Sequence, residues 1–125
     1  MSLLTKSRTT AASLPKNDPL RITLEVLDAG KHIGRAHSIP LKALIIKINE
    51  LLPKPLTENQ WQTQVLKKTR TVSCFIGSGP KGFFIIDTID DARAMKTFYE
   101  TRIASEQRHL KNLSDQVKLE CKWIL

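Results

Sequence analysis

The chain has 125 residues, and its 20 Lys and Arg outnumber its 12 Asp and Glu, leaving a net charge of +8. That length suits one domain with its own core, and 41% hydrophobic residues exclude a wholly disordered chain. The positive excess favours a polyanionic partner, nucleic acid before membrane, while no run nears the roughly 18 apolar residues of a membrane span and no leader-like segment stands out, so a cytoplasmic setting is expected.

Residues 1–19 hold six Ser/Thr, three basic residues and two prolines, and read as a flexible basic tail. The ordered domain is expected over residues 20–125. Leu20, Ile22, Leu24 and Val26 alternate with Arg21, Thr23 and Glu25, the period-two pattern of a half-buried strand. A turn at residues 28–31 and a weaker return over 32–38 complete an expected N-terminal β-hairpin. Ser38 reads as a helix cap with Pro40 in the first turn. Leu41, Leu44, Ile45, Ile48, Leu51 and Leu52 then recur at helical spacing until Pro53. Thr57 and Gln60 form a capping box that opens a second short helix to about Thr69. Trp61, Val65 and Leu66 make its apolar side, and Gln60, Gln64, Lys67, Lys68 and Arg70 its polar side.

The apolar runs 72–76 and 83–86 flank Gly77-Ser78-Gly79-Pro80-Lys81-Gly82 and are too short for helices, so they predict a glycine-tipped β-hairpin. The tip matches G-x-G-x-x-G as a string. A dinucleotide site, however, needs a helix after the glycines, and here a strand follows. A P-loop needs Gly-Lys-Ser/Thr, and a kinase glycine loop needs downstream lysine and aspartate motifs; none is present. Cys74 and Cys121 have no metal-like spacing, and Cys74 in an apolar strand reads as a buried reduced thiol.

Thr88 and Asp91 suggest a second capping box, opening a long helix over about 89–120. Ala92, Met95, Tyr99, Ile103, Leu110, Leu113 and Val117 follow near-heptad spacing, interrupted near Glu106. Such a helix outruns a small core, so Tyr99, Ile103, Leu110, Leu113 and Val117 are expected to form a homodimer interface. A break near Ser105 that folds the tail back is the competing account.

The order of a core helix, a capped helix with a Gln/Lys/Arg face, a glycine-tipped hairpin and an aromatic return strand resembles a winged-helix DNA-binding domain. The run GSGPKGFFIIDTIDDARAMKTFYETR looks like the wing and long helix of small winged-helix proteins of phages and plasmids, and the similarity covers roughly residues 38–105. That family has three helices before the wing, whereas this reading finds two. The resemblance implies an α+β, winged-helix-like fold.

Positions 54–81 carry five basic residues against one acid, Glu58, half of the molecule's excess charge. Concentrated positive charge is what phosphate binding needs, and glutamine and lysine are chemically suited to base edges and phosphates. The expected DNA-binding residues are Gln60, Gln64, Lys67, Lys68, Arg70, Ser78 and Lys81, with duplex DNA favoured. A solvated helix face and an ordinary turn are the plain alternatives. His32, His37 and His109 lack metal-site spacing and read as surface residues, so no metal and no cofactor is expected. Glu120-Cys121-Lys122 has the E-x-K form found in nucleases but no upstream carboxylate to complete a site. Seven aromatics, mostly in apolar runs, offer no stacking platform for RNA. The chain is expected to be a non-enzymatic regulator or accessory factor, with no small-molecule substrate and no membrane partner. A protein–protein adaptor working through the last helix, or a DNA-binding piece of a larger nuclease, is the alternative.

Overall fold

The computed structural model describes residues 2–69, 71, 72 and 74–125. Among them it is α+β, with five helices and a two-stranded antiparallel hairpin. The chain divides into two compact units, 1–92 and 93–125.

Helix α1 (Leu3–Ser13) starts on Ser2, whose hydroxyl accepts the Thr5 N–H at 3.1 Å. Ser7 and Ala11, one turn apart, are buried. Ser7 Oγ accepts the Phe75 N–H at 3.3 Å, the Leu4 N–H donates to Asp87 Oδ1 at 3.0 Å, and Arg8 grips both carboxylate oxygens of Asp28 at 2.8 and 3.0 Å. The expected flexible tail is therefore, over most of its length, a docked helix. Its buried residues are a serine and an alanine, with Leu4 and the cap residue Leu14 partly buried against the same core, too short a pattern to stand out among the Ser and Thr around it.

Helix α2 (Pro19–Ala29) corrects the expected strand over 20–26. Asp18 Oδ1 accepts the Leu20 N–H at 2.9 Å, and Pro19 takes the first helical position, where its missing N–H costs nothing. Leu20, Thr23, Leu24 and Leu27 fall at helical spacing and are buried together with Ile22, while Arg21 and Glu25 pair on the outer side at 2.8 Å. No N-terminal β-hairpin forms.

Residues 32–39 lie along the later hairpin and include a single 3₁₀ turn, Arg35–His37. The Ile85 N–H donates to His32 O and the Gly34 N–H to Ile85 O, while Ile39 and Phe83 exchange both backbone bonds, all at 2.9 Å. His32 is half-buried rather than a surface residue; its Nδ1 lies 2.8 Å from His37 O. Helix α3 (Leu41–Leu51) begins after Pro40. Ser38 is not its cap: the hydroxyl donates to Arg35 O at 2.7 Å and closes the 3₁₀ turn. Leu44, Ile45 and Ile48 face the core. Across the proline-rich connector, Asn49 Nδ2 donates to Leu56 O and Asn49 Oδ1 accepts the Leu56 N–H, both at 2.9 Å, which sets the approach to the next helix.

Helix α4 (Glu58–Trp61) opens on the expected capping box: Thr57 Oγ1 accepts the Gln60 N–H at 3.1 Å and Gln60 Oε1 accepts the Thr57 N–H at 3.0 Å. It continues into a π-helical turn, Gln62–Leu66. Trp61 is fully buried, its indole N–H donating to Thr23 Oγ1 at 3.0 Å and its ring meeting Phe83 edge-on at 4.9 Å between centroids. Thr23 in turn donates to Pro19 O at 2.8 Å, so the indole nitrogen ends a satisfied chain.

Strands β1 (Ile76–Gly79) and β2 (Gly82–Ile85) pair antiparallel, with Ile76 opposite Ile85 and Gly79 opposite Gly82. Phe84 and Ile85 are buried. Gly82 has φ +118°, and a β-carbon there would stand 1.9 Å from Ile39 O, so the edge contact with residue 39 requires glycine. Cys74 is a buried free thiol whose pKa burial pushes up to about 11.

Helix α5 (Ile89–Cys121) runs for 33 residues, unbroken at Ser105. Thr88 Oγ1 accepts the Asp91 N–H at 3.2 Å, but the Asp91 carboxylate accepts from Arg35 Nε at 2.8 Å instead of completing a box. The second unit is the rest of this helix and its short C-terminal tail. Tyr99, Ile103, Leu110 and Leu113 are exposed there, and Val117 is half-buried.

Candidate nucleic-acid interface

The capped helix and its π turn turn Trp61 and Val65 inward, and this sets what the opposite side can offer. Asn59, Gln60, Gln62, Thr63, Gln64 and Lys67 are exposed, and none is acidic; Glu58 occupies the first turn, where a carboxylate suits the helix dipole. Asn59, Thr63 and Lys67 are four residues apart, a spacing that puts them on one stripe. Asn59 and Thr63, exposed beside Lys67, were not among the residues expected on this face. Their signal was the same four-residue step counted back from Lys67, hidden because neither carries charge.

Of the expected residues, Gln60, Gln64 and Lys67 are exposed on this run. Gln60 is partly committed, since its carbonyl oxygen closes the capping box and leaves its NH2 group to reach outward. Gln60 and Gln64 border a shallow hollow of about 350 Å³ with Lys54 and Asn17. Lys68 points elsewhere: its ammonium is bonded to Asp18 Oδ2, which ties the π-helical run to the start of α2. Burial alone would raise the Asp18 pKa, but the hydrogen bonds from Lys68 and from the Leu20 N–H outweigh it and hold the carboxyl below its ordinary value. A lysine one position along from an exposed one is rotated about 100° around the axis, so grouping Lys67 with Lys68 overstated the free charge. Arg70 lies outside the described residues.

At the hairpin tip Lys81 is exposed, and Ser78 is half-buried opposite Phe83. Gly79, Pro80 and Lys81 border a second hollow, about 330 Å³, with Arg35 and Ser38 from the 3₁₀ turn. Two cations therefore flank the tip, although Arg35 is already held by Asp91. The Trp61–Phe83 ring contact packs the hairpin against the inward side of α4, behind the exposed residues.

Among the described residues, no three His, Cys, Asp or Glu side chains stand together as a metal-binding group, and no helix is long and apolar enough to cross a membrane. No protein family, curated protein or solved structure matches the chain.

Proposed function

We propose that this chain is a non-enzymatic DNA-binding protein of winged-helix build, gripping duplex DNA through the outer side of the α4 run and the tip of the glycine hairpin. The observation that carries the reading is the acid-free exposed face of Asn59, Gln60, Thr63, Gln64 and Lys67. Amide side chains of this kind suit paired hydrogen bonds to adenine, and a lysine among them suits phosphate. The element order adds support. With α2 in place of the expected strand, α2, α3 and α4 follow one another after α1 and before the hairpin, and the segment between α2 and α3 pairs with its second strand. In this arrangement α4 enters the major groove and Lys81 contacts the backbone beside it.

The test is binding of random-sequence duplex by fluorescence anisotropy at about 50 and 200 mM salt, a range over which phosphate contacts weaken steeply. Lys67→Glu with Lys81→Glu is expected to weaken binding at least about tenfold at low salt and to reduce the salt slope by about 2, one for each lost phosphate contact. Lys68→Met is expected to change affinity far less, because that ammonium is held by Asp18. Unchanged affinity in the double variant, or no duplex binding at low salt, would overturn the reading.

A further inference from the structure

The exposed side of α5 carries a seam with strict three-four spacing: Lys96, Tyr99, Ile103, Glu106, Leu110, Leu113, Val117 and Glu120. Apolar residues on that spacing make a coiled-coil seam, and the polar residues within it decide which partner and which direction are allowed. Pairing with a parallel second copy in register would set Lys96 on Lys96, Glu106 on Glu106 and Glu120 on Glu120. Every polar position would then meet its own charge. Reversing the second copy about the level of Arg108 removes all three clashes. Lys96 then faces Glu120, Tyr99 faces Val117, Ile103 faces Leu113 and Glu106 faces Leu110, each pair occurring twice.

We infer that α5 pairs antiparallel with α5 of a second copy, along the seam from Lys96 to Glu120. The seam is close to self-complementary when reversed, with charge matched at its ends and apolar layers between. Glu106 is the one charge facing an apolar partner, and Arg102 Nε already donates to its Oε1 at 3.3 Å, so it need not enter the seam unpaired. Lys96 lies 3.2 Å from Glu100 on its own helix, an exposed pair of the kind worth little, which leaves it available to the facing Glu120. The helix ends add to the preference. Asp90 stands exposed in the first turn, where Asp91 is already held by Arg35, and Lys118 in the last, so reversal turns the acidic start of each helix toward the basic end of the other. This pairing does not depend on the DNA reading.

The native thiols provide the test. Cys121 is exposed and Cys74 is buried, so a nitroxide label on the folded 125-residue chain goes to Cys121. Cys121 lies 13 residues from Arg108, so in the antiparallel dimer the two labels are 26 residues apart along the axis, about 40 Å at about 1.5 Å per residue. A parallel dimer would hold them about 10–15 Å apart, near the spacing of two packed helices. Sedimentation velocity is expected to show a dimer, and electron–electron resonance the long distance. Lys96→Glu is expected to weaken dimerisation about tenfold, and adding Glu120→Lys to restore it. A monomer at all concentrations, as from a helix covered by its own domain or by another protein, overturns the inference. So do a short label distance, an indifferent Lys96→Glu, or a charge swap that does not rescue.

Discussion

Gly82 occupies a place no other residue fits. Its φ of +118° is strained for any side chain, and an added β-carbon would stand 1.9 Å from Ile39 O and 2.8 Å from Pro40 Cα. Those neighbours are backbone, so they have no rotamer with which to yield. Gly82→Ala must then separate β2 from residue 39 and lose the two Ile39–Phe83 backbone bonds, at a cost of about 3 kcal/mol or more. Gly79, three residues away, has open space around the same added carbon, and Gly79→Ala is expected to cost within about 1 kcal/mol. Urea denaturation of the two variants makes the comparison, and equal losses would refute the account of Gly82.

Between elements, the approach of α3 to α4 is held by one side chain. Asn49 satisfies both the N–H and the carbonyl of Leu56, so Asn49→Ala removes two hydrogen bonds at once from a half-buried connector. A loss of about 2 kcal/mol is expected, with faster hydrogen exchange at the Leu56 amide; an unchanged exchange rate would argue against the clamp. The same scale shows what the sequence could and could not convey. Helix α3 and the hairpin were legible because long apolar periodicity and a glycine-proline tip marked them; α5 was legible too, but its interrupted heptads left a break near Ser105 open until the structure showed it continuous. Helix α2 was not, because Leu20, Ile22, Leu24 and Val26 satisfy a two-residue period while Leu20, Thr23, Leu24 and Leu27 satisfy a helical one. Only the Asp18-Pro19 start distinguishes them. Thr23 counted as polar in the strand pattern, although it lies in the core as the acceptor for Trp61. At the candidate interface, spacing alone grouped Gln60, Gln64 and Lys67, which are exposed, but the partner that removes Lys68 is 50 residues away in the chain.

Across residues 1–92, several carboxylates join elements distant in sequence, and two of them, Asp28 and Asp18, are held below their ordinary pKa. Asp28 is lowered chiefly by the hydrogen bond from Arg8, tying α1 to α2. Asp18 is lowered, against its own burial, by Lys68 and backbone N–H groups, tying α2 to the α4 run. A carboxyl with a depressed folded pKa contributes stability that is present above its unfolded value, about 3.9, and is lost as pH falls through the folded value. Unfolding free energy should therefore be nearly level from pH 7 to 5 and decline below about pH 4 as these links protonate. Protonation also leaves 20 cationic side chains with fewer opposing charges, so self-repulsion works in the same direction. Asp18→Asn keeps a side-chain oxygen for the Leu20 N–H but cannot hold the Lys68 ammonium as an ion pair. That variant should be less stable than the parent at pH 6 and converge toward it at pH 3. Urea titrations across that range are the measurement. Two curves that stay parallel to pH 3 would mean that the Asp18–Lys68 link adds nothing to the acid response.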